Sequence, residues 1–182
     1  MKPTTISKYY KHDDLDSLHR QHKWGINAIR SIDIIGDKIA SGGRLACEVW
    51  SITNGRKLYT ANHEHLVNHV KLMPDLTLGF DLITASADKT VKLWRKGFQF
   101  KTLGHNHSCW HFDLSQDHCL LAVATGMDKN GGVSFWRVDN FSKAAEENIG
   151  HTKAVRLNVD STTIIAVKAS GDVFEIVSED TL

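Results

Sequence analysis

Hydrophobic and polar residues alternate along this chain in short runs separated by small polar turns, the pattern of half-buried β-strands. The clearest run is Thr84-Ala85-Ser86-Ala87-Asp88-Lys89-Thr90-Val91-Lys92-Leu93-Trp94. Small and apolar residues enter a turn made by Asp88, Lys89 and Thr90. Val91 and Leu93 leave it on one face, and Trp94 closes the segment. The arrangement returns from Ile39 to Trp50, from Ala122 to Trp136 and, reduced, from Val167 to Ile176. The closing residues Trp50, Trp94, Trp136 and Ile176 stand 44, 42 and 40 residues apart. Ahead of each copy lies a histidine followed four residues later by an apolar or small residue: His22/Ile26, His63/Val67, His105/Cys109 and His151/Val155. Two marks sharing one period define repeated supersecondary units.

The alternation predicts a strand between Trp24 and Ile35, a turn at Ile35-Gly36-Asp37-Lys38 and a second strand from Lys38 to Ser41. Thr53-Asn54-Gly55-Arg56 reads as a hairpin turn, because Asn-Gly adopts positive φ readily, leading to an outer strand at Lys57–Thr60. The second repeat has a loop at Pro74–Thr77 and an outer strand at Phe98–Thr102. Lys143–Glu147 occupies an outer-strand position with a helix-like composition. The last repeat holds three strands, near Val155–Val159, Thr163–Lys168 and Val173–Val177. Asp14–His19, by contrast, falls where an extra outer strand belongs, ahead of His22. Residues 1–13 read as a flexible N-terminal segment and 14–182 as the repeat domain, with repeats at about 14–61, 62–103, 104–149 and 150–178.

These residues resemble the WD40 repeat family. Gly104-His105 and Gly150-His151 match its opening pair, and Asp88 with Trp94 matches its close. The sequence departs from the pattern after each tryptophan, where Ser51, Arg95 and Arg137 replace the usual Asp. The resemblance implies an all-β, WD40-type β-propeller of about four blades, open and incomplete or closed by the N-terminal strand lent to the last blade. It also implies a buried hydrogen-bond chain of histidine, hydroxyl, turn aspartate and tryptophan. That chain would be His63, Thr84, Asp88 and Trp94 in the second repeat, and His105, Thr125, Asp128 and Trp136 in the third. His22, Trp50 and His151 hold the corresponding places in the outer repeats. Such a set answers two needs at once, since a buried carboxylate is costly unless paired and a buried indole N–H wants an acceptor. Ala40 and Arg44 break the set in the first repeat, and Asp172 lacks a Trp partner in the fourth.

The function implied is a non-catalytic interaction scaffold that binds proteins or peptides through its loops. Arg44, which stands where the repeat has its turn Asp, and Lys89 and Lys129 in the same turn region are the candidate partner-binding residues. A weaker likeness, in spacing and in the degenerate last repeat, is to the propeller part of F-box/WD substrate receptors in ubiquitin ligases. No F-box-sized helical region precedes the repeats.

Composition narrows the partners. Twenty-two basic against 21 acidic residues leave a net charge of +1, which gives no long-range attraction for nucleic acid or acidic membranes. No apolar run reaches the length of a transmembrane helix, and the N-terminus has no apolar signal core. The expected compartment is therefore the cytoplasm, with the nucleus second. Cys47, Cys109 and Cys119 are odd in number and read as free buried thiols of a reducing compartment.

His63, His65 and His69, and again His105, His107 and His111, share an H-x-H-x-x-x-H spacing that could hold zinc, the basis of an alternative hydrolytic or metal-binding reading. The plainer reading is duplication of a structural histidine, with no metal and no cofactor. No G-x-S-x-G elbow occurs, and neither Gly42-Gly43 nor Gly131-Gly132 leads into the Lys-Ser/Thr of a phosphate loop.

Overall fold

The computed structural model describes residues 29–74, 78–158 and 163–177. The predicted N-terminal segment, the extra strand at Asp14–His19 and the His22/Ile26 pair lie outside the described residues. Fifteen strands and no helix are found among the residues described. They form four antiparallel sheets in chain order: β1 (Ser31–Ile35), β2 (Lys38–Gly42), β3 (Ala46–Ser51) and β4 (Lys57–Asn62); β5 (Val67–Leu72), β6 (Leu82–Ser86), β7 (Thr90–Arg95) and β8 (Phe98–Gly104); β9 (Cys109–Leu114), β10 (Leu120–Met127), β11 (Asn130–Arg137) and β12 (Lys143–Glu147); and a last sheet of three, β13 (Thr152–Leu157), β14 (Thr163–Lys168) and β15 (Val173–Val177).

The turns follow their local chemistry. Gly36 and Gly55 adopt positive φ where the sequence places Gly-Asp and Asn-Gly, and Asp37 accepts hydrogen bonds from Ser51, from the amide of Thr53 and from its hydroxyl. Lys143–Glu147 is a strand, contrary to its helix-like composition. Its partner β11 offers a full ladder, Val133 to Glu147 through Trp136 to Lys143, and tertiary pairing overrides weak local propensity.

The chain divides into two compact units, one of the described residues up to Thr84 with Leu93–Phe100, the other of Ala85–Lys92 and the residues from Lys101 on. The core of the first joins the small face of β2–β4 (Ala40, Cys47, Val49, Ala61) to larger side chains, Val67, Val70, Leu72, Leu82 and Trp94. The core of the second joins Leu120, Ala122, Ala124, Val133 and Phe135 to Val155, Ile164 and Ala166. Alanines on one face let the next sheet approach closely, and each deeply buried Leu, Ile or Phe contributes about 2 kcal/mol by leaving water.

The first strand of every sheet has a free edge whose amides need acceptors. In the first unit Ser31 Oγ accepts the Val70 amide at 3.2 Å and Asp33 Oδ2 the Leu72 amide at 2.7 Å. In the second, Asp113 Oδ2 accepts the Leu157 amide at 3.0 Å, with Arg156 3.4 Å from the other oxygen. Asp81, 2 % exposed, accepts from Tyr59 Oη at 3.0 Å, the Lys96 amide at 2.8 Å and Lys38 Nζ at 3.4 Å. Burial and the facing Asp81 carboxylate push the Tyr59 phenol above its ordinary range.

Candidate functional site

His63 lies between β4 and β5, Thr84 in β6 and Trp94 in β7, and all three are buried. Trp94 Nε1 donates to Thr84 Oγ1 at 2.8 Å, and the same oxygen stands 2.7 Å from His63 Nε2. A hydroxyl carries one proton and two lone pairs, so accepting from the indole leaves it both a proton and a second lone pair with which to meet either imidazole tautomer. The two rings meet edge to face with centroids 5.8 Å apart. Asp88 caps its own turn, accepting from the Thr90 amide at 3.0 Å and from the Thr90 hydroxyl. That bond holds the hairpin in which Lys89 takes φ 70°.

The second unit builds the bridge differently. Ser134 Oγ lies 3.2 Å from His105 Nδ1 and accepts Trp136 Nε1 at 3.2 Å. Thr125, expected in this role, instead donates to the Gly132 carbonyl at 3.4 Å. The reason is register. Trp136 pairs with Leu121 and Ser134 with Val123, while Thr125 pairs with Gly132. The longer β10–β11 hairpin carries Thr125 away from the indole, and Ser134, two residues before Trp136, faces it. Asp128, also expected there, occupies the exposed turn with φ 56°. Sequence reasoning missed Ser134; its signal was a small polar residue alternating with Val133 and Phe135 just ahead of the tryptophan.

His105 Nε2 is buried with no hydrogen-bond partner among the described residues. Burial first, and the nearby Lys143 second, lower its pKa to about 4. The unfolded imidazole, near 6.5, therefore takes up a proton that the folded one refuses, and stability falls as pH drops through that interval. Urea unfolding should lose about 2 kcal/mol between pH 7 and pH 4 from this group. His105→Gln should flatten that slope, and an unchanged slope would remove the assignment.

The outer sheets lack the bridge. Ala40 has no hydroxyl, and half-buried Trp50 lies under Lys57 Nζ at 5.6 Å, the lysine also pairing with buried Glu48 at 3.1 Å. Asp172 is exposed and accepts from Ser170 at 2.7 Å. His151 packs on Trp110 with centroids 5.5 Å apart, beneath Lys153. Arg44, half-buried, and Lys89 and Lys129, both exposed, sit in the turns joining the second and third strands of the first three sheets. Cys47 and Cys109 are buried and their thiols are pushed well up by burial, whereas Cys119 is exposed rather than buried. It belongs to the turn in which Asp117 accepts the Cys119 amide. Among the described residues no three His, Cys, Asp or Glu side chains gather in a metal-holding arrangement.

Recurring antiparallel sheets, two of them with an imidazole and an indole bridged by a hydroxyl, define an all-β repeat protein. Residues 55–95 match the WD40 family model, "WD domain, G-beta repeat", so the chain carries a WD40 repeat spanning the last strand of the first sheet and three strands of the second. Among solved structures it is similar to the computationally designed Ika4 protein, at a TM-score of 0.69 and 17 % identity over 87 % of this chain and 94 % of that one. It is also similar to the computationally designed Ika8 protein, at 0.66 and 17 %, over 84 % of this chain and 46 % of that one. At such identity the likeness speaks for the fold alone.

Proposed function

We propose that this chain is a non-catalytic WD40 scaffold, a β-propeller-type array of about four blades that binds protein or peptide partners through its turns. The WD40 repeat at 55–95 carries the reading. His63, Thr84 and Trp94 hold one another in the interior, which leaves the exposed turns for recognition by side chains on a rigid frame. The proposed repeats are 14–61, 62–103, 104–149 and 150–178, and the proposed compartment is the cytoplasm, with the nucleus second. Arg44, Lys89 and Lys129 suit an acidic or phosphorylated peptide.

Affinity capture with mass spectrometry tests this. Arg44→Glu with Lys89→Glu and Lys129→Glu should deplete the captured partners about tenfold or more while leaving the thermal midpoint unchanged. Unaltered capture would move the binding surface elsewhere. A narrower role, substrate recognition within a ubiquitin ligase, rests on the sequence likeness and predicts ligase subunits in the same capture.

A further inference from the structure

Asparagine followed by glycine occurs twice in this chain, at Asn54-Gly55 and at Asn130-Gly131. The dipeptide is chemically labile, because glycine carries no side chain to keep its amide nitrogen away from the asparagine Cγ. In an unfolded chain the two pairs are equivalent. The fold separates them. Asn54 is exposed in the turn between β3 and β4. Its Oδ1 accepts the Arg56 amide at 2.9 Å, a local closure that curls the carboxamide back over the Gly55 peptide. Gly55 takes φ 71°, and its amide donates to the Ser51 carbonyl at 2.9 Å. Asn130, by contrast, opens β11 and is registered against Met127 across the β10–β11 hairpin. Gly131 beside it has no room to turn, since an added Cβ would collide with Gly126 Cα and with the Thr125 carbonyl oxygen. Its own carbonyl accepts the Gly150 amide at 2.9 Å.

We propose that Asn54 is a site of spontaneous deamidation, a modification for which the turn supplies the geometry and water is the co-reactant. The Gly55 amide gives its proton to solvent base, and its nitrogen attacks Asn54 Cγ. The N–Cγ bond forms, the Cγ–Nδ2 bond breaks, and ammonia leaves with a proton taken from water. Water then opens the cyclic imide at either carbonyl. The product is aspartate, or isoaspartate with the main chain rerouted through the side chain. Negative charge develops on Oδ1 during the attack, and the Arg56 amide already donates to that atom, as an oxyanion-stabilising group does. The hydrogen bond from Gly55 to Ser51 is the brake, because it must break before the nitrogen can turn. At Asn130 the same movement drives backbone into backbone. Either product sets a carboxylate next to Thr53, whose amide and hydroxyl are held by Asp37, so like charges meet there. Isoaspartate also lengthens the main chain inside a turn closed by the Ser51 amide on the Arg56 carbonyl at 2.9 Å. The added carboxylate takes the net charge from +1 to zero.

Incubation of the full chain at neutral to mildly alkaline pH, followed by anion exchange and peptide mapping by mass spectrometry, tests the proposal. Asn54 should convert about tenfold faster than Asn130, the worth of one hydrogen bond made to developing charge. The rate should rise with pH, because the nitrogen attacks once it has lost its proton. In urea the two sites should convert at similar rates, since the folded turn no longer distinguishes them. Asn54→Gln should abolish the early acidic variant, because the longer side chain closes a less favourable ring, while Asn130→Gln should leave it in place. The mapping of the wild-type chain decides the matter even where a variant folds poorly. An Asn54 that stays intact, conversion at Asn130 first, or equal conversion at both sites in the folded chain would each overturn the assignment. A preference for Asn54 that persists unchanged in urea would lie in the neighbouring sequence and would overturn the role given to the turn.

Discussion

Thr84→Val is expected to destabilise the chain by about 3 kcal/mol, seen as a lowered urea midpoint with an unchanged slope. The substitution preserves shape and removes one oxygen. That oxygen serves both Trp94 Nε1 and His63 Nε2 in a site where all three residues are buried. A buried polar group left without its partner costs about 1–3 kcal/mol, and here two lose theirs together. Thr84→Ser keeps the hydroxyl and should recover most of the loss, less the cost of a missing methyl, about 1 kcal/mol. If Thr84→Val is as stable as the wild type, the hydroxyl bridge does not hold this site.

Gly132→Ala should cost at least as much, for a steric reason. A Cβ added at Gly132 would stand 1.8 Å from the Glu147 carbonyl oxygen and 2.9 Å from its carbon. Both belong to the backbone of β12, the strand paired with β11, so no side chain can swing aside. Either β12 separates from the sheet or the ladder breaks, and overpacking of this kind costs about 3 kcal/mol or more. Gly104→Ala is the control, because nothing lies within 4 Å of its added Cβ. Hydrogen exchange should show the β12 amides losing protection in Gly132→Ala while those of β5–β8 keep theirs. Equal stabilities for the two variants would mean that β12 is not held where it lies.

Strand positions were readable because period-two alternation is a direct print of a sheet with one packed face. The three strands of the last sheet fell close to their predicted ranges for that reason. β12 was harder, since Ala and Glu favour helix on their own and only pairing with β11 decides otherwise. The hydroxyl of the second sheet could be found at Thr84 because its hairpin keeps the family's length. The third could not be found by the same count, because its hairpin is longer and hydrogen bonding selects Ser134 from the opposite strand. The acceptors at Asp33 and Asp113 were missed for another reason: their targets, the Leu72 and Leu157 amides, are backbone groups of a different sheet and carry no mark in the sequence.

The WD40 match begins at residue 55, inside the first sheet, and ends at residue 95, inside the second. The segment that evolution would duplicate is therefore out of step with the segment that folds as one sheet. Every inserted copy would finish its predecessor's sheet before starting its own, as overlapping tiles lock a roof. Lineages gaining or losing one such copy would change the size of the array while leaving each seam intact.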